Sequence, residues 1–193
     1  MKRLIIATNN AGKVREIRAI LGGYYDSLVS LKEAGIDLRV VEDGLTFEEN
    51  AVKKAREAAK AAGCDALADD SGLCVAALGG APGVFSARYA GEDATDTQNN
   101  EKLLAALYGI NDRSAKFVCA VALASGDDTI TACGQVHGVI AQQPSGSGGF
   151  GYDPLFYVPE LGQTFAEIPP EIKNTLSHRA RALAALRDKL KDS

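Results

Sequence analysis

A short apolar stretch at residues 4–7 runs without a break into the turn Thr8-Asn9-Asn10-Ala11-Gly12-Lys13. An apolar stripe at helical spacing follows, formed by Val14, Ile17, Ile20 and Leu21, and Gly22-Gly23 ends it. A strand that feeds a helix through so short a turn is typical of α/β proteins. The turn also combines backbone amides, the positive end of the helix dipole and the charge of Lys13, so it predicts a phosphate site. It is not a Walker A motif, because the first glycine is missing and Val14 replaces the metal-binding Ser or Thr. An α/β turn without a ligand is the alternative.

Length and composition are those of an ordinary globular protein. The 193 residues, 46% of them hydrophobic and 24% charged, predict a single domain over residues 1–193. No segment approaches the roughly 20 apolar residues that span a bilayer, and Met1-Lys2-Arg3 leads into a strand too short for a signal peptide. We therefore expect a cytoplasmic protein with no membrane partner. The net charge of −4 argues against nucleic acid as a partner.

The cysteines indicate neither metal nor redox chemistry. Cys64, Cys74, Cys119 and Cys133 are scattered and form no C-x-x-C pair. Two of them lie inside apolar, strand-like runs. Buried thiols are therefore favoured over zinc ligands or disulfides.

Further helices and strands follow the first pair. Thr46-Phe47-Glu48-Glu49 has the pattern of a capping box, and it precedes a helix over residues 50–62 in which Asn50 and Lys54 share one face. Helices are also predicted over residues 97–107 and 177–190. A short strand over residues 66–68 and an extended stretch over residues 73–78 are predicted between the helices over residues 50–62 and 97–107. Two β-rich runs, over residues 116–125 and 129–140, are divided by Gly126-Asp127-Asp128 and predict an antiparallel hairpin. The sheet is therefore expected to be mixed.

Two acidic turns are candidates for chemistry. Asp69-Asp70-Ser71-Gly72 follows a buried strand, and ligand sites of α/β proteins gather at strand ends. Neighbouring side chains of an extended segment point in opposite directions, so one aspartate is expected to face a ligand while the other braces the turn. A carboxylate beside phosphate implies an intervening Mg²⁺. Glu42-Asp43-Gly44 could supply a second oxygen ligand. The alternative for both segments is a solvated turn.

A glycine-rich loop over residues 144–154 carries two aromatic side chains, Phe150 and Tyr152. They show no core periodicity, so stacking on a planar base is favoured over core packing. Asp153 could accept a hydrogen bond from a ring N–H, and Arg179 could donate to a 6-keto oxygen. Arg179 begins the last helix and opposes its dipole, a conflict that a docked anion or a carbonyl-rich ligand would relieve. An exposed arginine is the alternative.

Together these segments closely resemble the inosine triphosphate pyrophosphatase family, whose members hydrolyse deaminated purine nucleotides such as ITP, dITP and XTP. The resemblance spans residues 3–179. The motifs that carry it are the turn over residues 8–13, Thr46-Phe47-Glu48-Glu49-Asn50-Ala51, Ala68-Asp69-Asp70-Ser71-Gly72-Leu73, Gly79-Gly80-Ala81-Pro82-Gly83, Ser86-Ala87-Arg88-Tyr89, residues 148–154 and Ser177-His178-Arg179.

The resemblance implies an α/β fold with two lobes around a long mixed β-sheet, a nucleotide cleft between the lobes, and a homodimer. It also implies Mg²⁺ as cofactor and a reaction that converts a nucleoside triphosphate and water to the monophosphate and pyrophosphate. Asp70 would be the general base and, with Glu42, a metal ligand. The implied substrate-binding residues are Thr8, Asn9, Asn10, Ala11, Gly12, Lys13, Lys54, Ser71, Phe150, Gly151, Tyr152, Asp153, Lys173, His178 and Arg179. A related pyrophosphatase for other nucleotides and a non-hydrolysing nucleotide sensor are the competing hypotheses.

Overall fold

A computed structural model describes residues 3–191, and predictions that involve Met1, Lys2, Asp192 or Ser193 lie outside the described residues. The strands are β1 (Arg3–Ile6), β2 (Ser27–Ser30), β3 (Ala66–Val75), β4 (Ser114–Ser125), β5 (Asp128–Ile140), β6 (Phe156–Val158) and β7 (Gln163–Thr164). The α-helices are α1 (Ala11–Leu21), α2 (Phe47–Ala62), α3 (Asp96–Ala106), α4 (Pro170–Leu176) and α5 (His178–Lys191). None of the helices within residues 3–191 has the length and hydropathy needed to cross a membrane.

The strands form one seven-stranded sheet in the order β2-β1-β3-β4-β5-β6-β7. Strand β1 pairs in parallel with β2 and β3, and Ile5 lies opposite Ala66. Strand β6 pairs antiparallel with β5 and β7. Because only Gly126 and Asp127 connect the neighbouring strands β4 and β5, these two strands run antiparallel. The predicted hairpin and the mixed α/β sheet are thus confirmed.

The described chain divides into two compact units. The first unit comprises the residues up to Asp70, Cys119–Gly134 and the residues from His178 onward, and the second unit comprises Ser71–Val118 and Gln135–Ser177. The predictions of a single domain and of a nucleotide cleft stay predictions.

In the first unit, successive side chains of β1 enter two different cores. Leu4 and Ile6 pack in a cluster with the apolar faces of α1 and α5, whereas Ile5 packs in a cluster with α2. The same alternation continues in β3, where Leu67 belongs to the first cluster and Ala66 and Ala68 belong to the second. Each of these apolar side chains therefore packs either with α1 and α5 or with α2.

Helix α2 ends at Ala62 as its sequence predicts, but it begins at Phe47, three residues before the predicted start at residue 50. Thr46 and Glu49 form a capping box, in which the Thr46 hydroxyl accepts from the Glu49 amide at 3.1 Å and the Glu49 carboxylate accepts from the Thr46 amide at 3.2 Å. Gly63 ends the helix with φ at 63°, a conformation that glycine adopts without strain. The face that α2 buries consists of Asn50, Ala51, Lys54, Ala55 and Ala58. Small side chains bring this face close to the sheet, and two polar side chains are buried with them.

The second unit has one core, centred on three phenylalanines. The Phe117 ring centroid lies 4.5 Å from that of Phe156 and 5.8 Å from that of Phe165. Helix α3 adds Leu103, and its N-terminus carries a second capping box, formed by Thr95 and Gln98. The helix predicted over residues 97–107 is thus confirmed, displaced by one residue.

The segment Asp69-Asp70-Ser71-Gly72 is not a turn, which corrects the sequence interpretation. Strand β3 continues through all four residues to Val75, so the two aspartates lie within a strand rather than at its end. Asp and Gly are rare inside strands, and local composition therefore favoured a turn. Helix α4 was not predicted, and the final helix begins at His178 instead of Ser177.

The prediction of buried thiols is correct for one cysteine and wrong for another. Cys119 is fully buried, whereas Cys133 is exposed on β5. All four cysteines are free. Cys133 is exposed because alternate residues of β5 face away from the core, an orientation that an apolar run does not reveal.

Gly134 is expected to be essential for the packing of α5 on the sheet. A Cβ atom at this position would lie 2.3 Å from both the His178 carbonyl oxygen and the Ala182 amide nitrogen. Gly134→Ala is therefore expected to lower the free energy of unfolding by about 1–3 kcal/mol, the usual cost of overpacking. Urea unfolding measures this effect. Cys133→Ala, at the exposed neighbouring position, is the matched control, and equal stability of the two variants would contradict the prediction.

Candidate active site

Asp69 and Asp70 are consecutive in β3 and therefore face opposite sides of the sheet. Asp69 follows the alternation of Leu67 and lies on the side of α1 and α5, where Lys13 and Arg179 contact it. Asp70 follows the alternation of Ala68 and lies on the side of α2. The expectation that the two carboxylates diverge is confirmed. The helices that cover them give them different surroundings.

The Asp70 carboxylate is held by two side chains of the buried face of α2. Asn50 Nδ2 donates to Asp70 Oδ2 at 3.1 Å, and Lys54 Nζ lies 3.4 Å from Asp70 Oδ1. Lys54 Nζ also donates to Glu42 Oε2 at 3.1 Å. Asn50 Oδ1 accepts from the Gly44 amide at 2.8 Å, which attaches the Glu42-Asp43-Gly44 segment to the same cluster. The structure thus brings Glu42, Lys54 and Asp70 together.

Burial gives this cluster unusual electrostatics. Burial raises the pKa of Asp70 above its ordinary value, and the neighbouring Glu42 raises it further, although Lys54, Lys13 and the Asn50 amide act in the opposite direction. For Lys54, the effect of burial is outweighed by Asp70 and Glu42, so its pKa is raised and it stays an ammonium ion at neutral pH. Asp70 is therefore a carboxylate with increased proton affinity beside a fixed positive charge.

Asp69 has the opposite character. Its side chain is fully buried, and Oδ2 accepts from Arg179 Nε at 3.1 Å and from Nη2 at 2.8 Å. Lys13 Nζ lies 3.2 Å from the same oxygen. Burial raises the pKa of Asp69, but Lys13 and Arg179 outweigh it, so the pKa lies far below the usual range. Asp69 is thus ionised at neutral pH and holds the Lys13 and Arg179 side chains in place.

The Arg179 guanidinium, expected to meet a docked ligand, is instead paired with carboxylates of the protein. The guanidinium is fully buried, and it pairs with Asp69 and with Glu16 of α1. The anion that offsets the opposing helix dipole is therefore part of the protein, and the interpretation that a docked ligand relieves this conflict is corrected. The preceding residue, His178, is the first residue of α5 and is also buried. Recognition of a base by Arg179 and His178 stays a prediction.

The N-terminal turn is an ordered helix cap. Thr8 Oγ1 accepts from the Asn10 amide at 3.2 Å, and Asn10 Oδ1 accepts from the Lys13 amide at 3.1 Å. Asn9 and Ala11 are exposed, whereas Gly12 is buried. Helix α1 begins at Ala11, so Gly12 and Lys13 belong to its first turn. The turn has the geometry that anions favour, a helix start with an adjacent lysine.

The loop over residues 148–154 lies in the second unit and is held by contacts with residues of the same unit. Asp153 Oδ2 accepts from the Phe150 amide at 2.9 Å and from Lys173 Nζ at 2.6 Å. The Lys173 ammonium also lies 5.0 Å from the centre of the Phe150 ring. Lys173 is buried. Ser71, in β3 of the same unit, is half-buried. Phe150, Asp153 and Lys173 are therefore brought together.

Tyr152 is a core residue, which corrects the interpretation that its ring is a stacking platform. Its side chain is 4% exposed and packs in the core of the second unit. The hydroxyl donates to the Ser86 carbonyl at 2.8 Å, and burial raises the pKa of the phenol. The flanking glycines hid this role, because a single aromatic residue in a loop has no periodicity to reveal burial.

Asp70 and Glu42 fit a magnesium site. Within residues 3–191, no group of three or more His, Cys, Asp or Glu side chains has the arrangement of a metal site. Two carboxylates nevertheless converge on one cation, the Lys54 ammonium, which lies 3.1 Å from Glu42 Oε2 and 3.4 Å from Asp70 Oδ1. Mg²⁺ in phosphate-processing sites uses one or two carboxylates and completes its shell with water and phosphate oxygens. The donor set suits this ion.

Two contributors were missed as site residues, Asn50 and Glu16. Asn50 contacts Asp70 directly, and its spacing of four residues from Lys54 on α2 was the available signal. Glu16 lies one helical turn after Lys13 and reaches Arg179, a contact between positions 163 residues apart that no local pattern reveals.

Known proteins resemble this chain along its whole length. The Ham1 family model matches residues 4–189. The chain is 56% identical to a dITP/XTP pyrophosphatase of Geobacter sulfurreducens. The alignment extends over 193 residues and covers 98% of this chain and 97% of that protein. The structure of this chain is similar to that of a HAM1 protein from Coxiella burnetii, with a TM-score of 0.89, 43% identity and coverage of 100% of both chains. The Staphylococcus aureus Ham1 protein is similar with a TM-score of 0.87, 44% identity and coverage of 99% of both chains.

Proposed function

The chain belongs to the Ham1 family, and we propose on that premise that it hydrolyses deaminated purine nucleoside triphosphates to the monophosphate and pyrophosphate. The substrate class comprises dITP, ITP and XTP. The observation that carries this function is the full-length similarity to dITP/XTP pyrophosphatases. The buried Asp70 cluster supports it, because it supplies a carboxylate with a raised pKa beside a lysine.

We infer that Asp70 is the general base. Hydrolysis requires that water add to phosphorus while pyrophosphate departs, and the water must lose a proton as it adds. A carboxylate accepts that proton more readily when its pKa is raised. Asn50 and Lys54 hold the Asp70 carboxylate in one orientation, so its accepting oxygen is positioned before substrate arrives.

Asp70 and Glu42 are proposed to hold Mg²⁺. When bound, the ion neutralises phosphate charge and lowers the pKa of coordinated water. Lys54 stays charged because its pKa is raised, and it offsets part of the negative charge of the two carboxylates and the substrate. Removal of the Lys54 charge would leave the two neighbouring carboxylates to repel each other.

The triphosphate is proposed to bind the turn over residues 8–13 and Lys54. The polyphosphate carries roughly four negative charges, and the start of α1 attracts them through its amide groups and dipole. Lys13 adds a full charge there, although the Asp69 carboxylate at 3.2 Å already balances part of it. Lys173 and Ser71 are also proposed to contact the nucleotide.

The base is proposed to bind the loop over residues 150–153, with Phe150 as its stacking partner. Asp153 and Arg179 would distinguish a protonated N1 and a 6-keto oxygen from the groups of adenine, together with His178. An Arg179→Ala variant cannot test this assignment cleanly, because it also removes the counterion of the buried Asp69. Selectivity is better measured on the unmodified enzyme.

We further propose that the protein is a cytoplasmic homodimer that does not bind nucleic acid. The family resemblance supports the dimer, and the net charge of −4 supports the absence of a nucleic-acid partner. Size-exclusion chromatography with light scattering measures the oligomeric state. A mass of 20.2 kDa in solution would contradict the dimer.

Pyrophosphate release from a panel of nucleotides tests the proposed function. We expect release from dITP, ITP and XTP in the presence of Mg²⁺, and a decrease when EDTA replaces it. ATP is expected to react roughly 5- to 150-fold less efficiently, since each unpaired buried polar group costs about 1–3 kcal/mol.

The same panel includes GTP, dTTP and UTP. A preference for a pyrimidine triphosphate would indicate a related pyrophosphatase. Nucleotide binding without release of pyrophosphate would indicate a sensor and overturn the proposal.

A further inference from the structure

Helix α3 holds both backbone polar groups of Gly151, the glycine between Phe150 and Tyr152. The Gly151 amide donates to Asp96 Oδ2 at 2.7 Å, and Asn100 Nδ2 donates to the Gly151 carbonyl oxygen at 3.0 Å. Asp96 and Asn100 are four residues apart and therefore lie on one face of the helix. Neither residue was identified from the sequence.

Helix α3 is itself firmly attached to the second unit. Asn99 is buried, and its side chain accepts from the Ala90 amide at 2.8 Å and donates to the Ala87 carbonyl at 3.1 Å. Leu103 is fully buried in the core. Helix α3 is therefore held in place by its own packing, and its hydrogen bonds fix the position of Gly151.

The other side of the loop is tied as well. Asp153 accepts from the Phe150 amide and from Lys173, and the Tyr152 hydroxyl donates to the Ser86 carbonyl. The Phe150 amide is thus held by Asp153, and the next residue, Gly151, is held by helix α3. A glycine-rich loop has a large conformational entropy to lose when it is ordered. Anchors that order it beforehand reduce the entropy that ligand binding must remove.

We propose that Asp96 and Asn100 are positioning residues that hold the Phe150 ring in its base-binding conformation. The inference rests on the proposed role of Phe150 in stacking the purine. Asp96 and Asn100 act through the Gly151 backbone and not by contact with the substrate. Their loss is therefore expected to weaken substrate binding and to leave the chemical step largely unchanged.

The test compares two substitutions at one position. Asp96→Ala removes the acceptor for the Gly151 amide, whereas Asp96→Asn removes the charge but retains an oxygen acceptor. We expect Asp96→Ala to raise KM for dITP about 3- to 10-fold, as expected for one hydrogen bond, with less than a twofold change in kcat. Asp96→Asn is expected to restore KM. Asn100→Ala is expected to resemble Asp96→Ala.

Gln98→Ala is the matched control. Gln98 accepts from the Thr95 amide at 2.8 Å and caps the same helix without contacting Gly151. If Gln98→Ala raised KM as much as Asp96→Ala, general loosening of α3 would explain the effect and the proposal would be overturned. An unchanged KM in Asp96→Ala would overturn it too.

Two further readouts separate this proposal from the proposed function. Inorganic tripolyphosphate has no base, so its inhibition constant is expected to be the same in wild type and Asp96→Ala. Backbone amide exchange of Gly151, measured by NMR without substrate, is expected to accelerate in Asp96→Ala but not in Asp96→Asn. Unaltered exchange would show that Asp96 does not hold the loop. Absence of dITP hydrolysis by the wild type would instead refute the proposed function.

Discussion

Asp70→Asn is expected to retain dITP binding and to lose about 10²- to 10⁴-fold in turnover, the range typical of a missing general base. Asparagine has the shape of aspartate, but its amide cannot take a proton from water. The folded protein should tolerate the change at neutral pH, because the raised pKa of Asp70 shows that its environment disfavours the charge. Steady-state pyrophosphate release gives kcat, and calorimetric titration gives the affinity for dITP.

Asp43→Asn is the matched control for this measurement. Asp43 is in the same acidic segment as Glu42, but its carboxylate is exposed and pairs with Lys53. Its turnover is expected to stay near the wild-type value. Near-normal turnover in Asp70→Asn would remove Asp70 from the role of base.

The pH dependence of turnover gives an independent check. A general base acts only when it is deprotonated, so activity is lost as the pH falls through its folded pKa. Because the pKa of Asp70 is raised, this loss should begin above the ordinary aspartate value of 3.8. The residual activity of Asp70→Asn should lack this acidic limb.

Asp69→Asn is expected to lower the free energy of unfolding by about 3–5 kcal/mol, the cost of breaking a buried ion pair. Arg179 is fully buried and forms ion pairs with Asp69 and Glu16. The change would remove the ion pair with Asp69 and leave the one with Glu16. Lys13 would lose its partner at 3.2 Å as well. Total stabilities of natural domains are about 5–15 kcal/mol, so the variant should be close to unfolding. Urea unfolding at neutral pH measures the difference.

Asp70→Asn is the control for the stability of Asp69→Asn. The substitution is the same and the positions are adjacent, but the pKa values of the two carboxylates are shifted in opposite directions. Asp69→Asn should therefore be much less stable than Asp70→Asn. Equal losses of stability in the two variants would show that the two faces of β3 are not distinct in the way the geometry indicates.

The stability of the wild type should also depend on acid in a defined way. The folded pKa of Asp69 lies below its ordinary value of 3.8, so the stabilisation is complete above that value and is lost as the pH falls towards the folded pKa. The difference in the free energy of unfolding between wild type and Asp69→Asn should therefore be constant near neutral pH and decrease below about pH 4.

Local signals predicted the elements that local physics forms. Gly63 gave the end of α2 and the capping box gave the position of its N-terminus to within three residues, because helix ends are satisfied by groups within a few residues. The hairpin of β4 and β5 followed from two apolar runs and a short polar connection. The segment through Asp69 and Asp70 was misread because its strand conformation depends on partners outside the segment.

Burial was the property that local patterns predicted least well. Tyr152 was interpreted as a ligand platform and is a core residue, and Arg179 was expected to await an external anion and already has two internal ones. In both cases the deciding contact comes from a distant part of the chain. The Tyr152 hydroxyl reaches Ser86, and the Arg179 guanidinium reaches Glu16.

The sequence by itself determined helices α1, α2, α3 and α5, the mixed sheet, the family and the divergence of two adjacent carboxylates, because capping, hydrophobic pattern and the twofold repeat of a strand are local properties. Only the tertiary structure decided which carboxylate holds Lys13 and Arg179 and which is the candidate base. That assignment depends on the helices that cover each face of β3. Helix α2 places Asn50 and Lys54 over Asp70, whereas α1 and α5 place Lys13 and Arg179 over Asp69. Long-range packing therefore gives identical side chains opposite shifts in pKa.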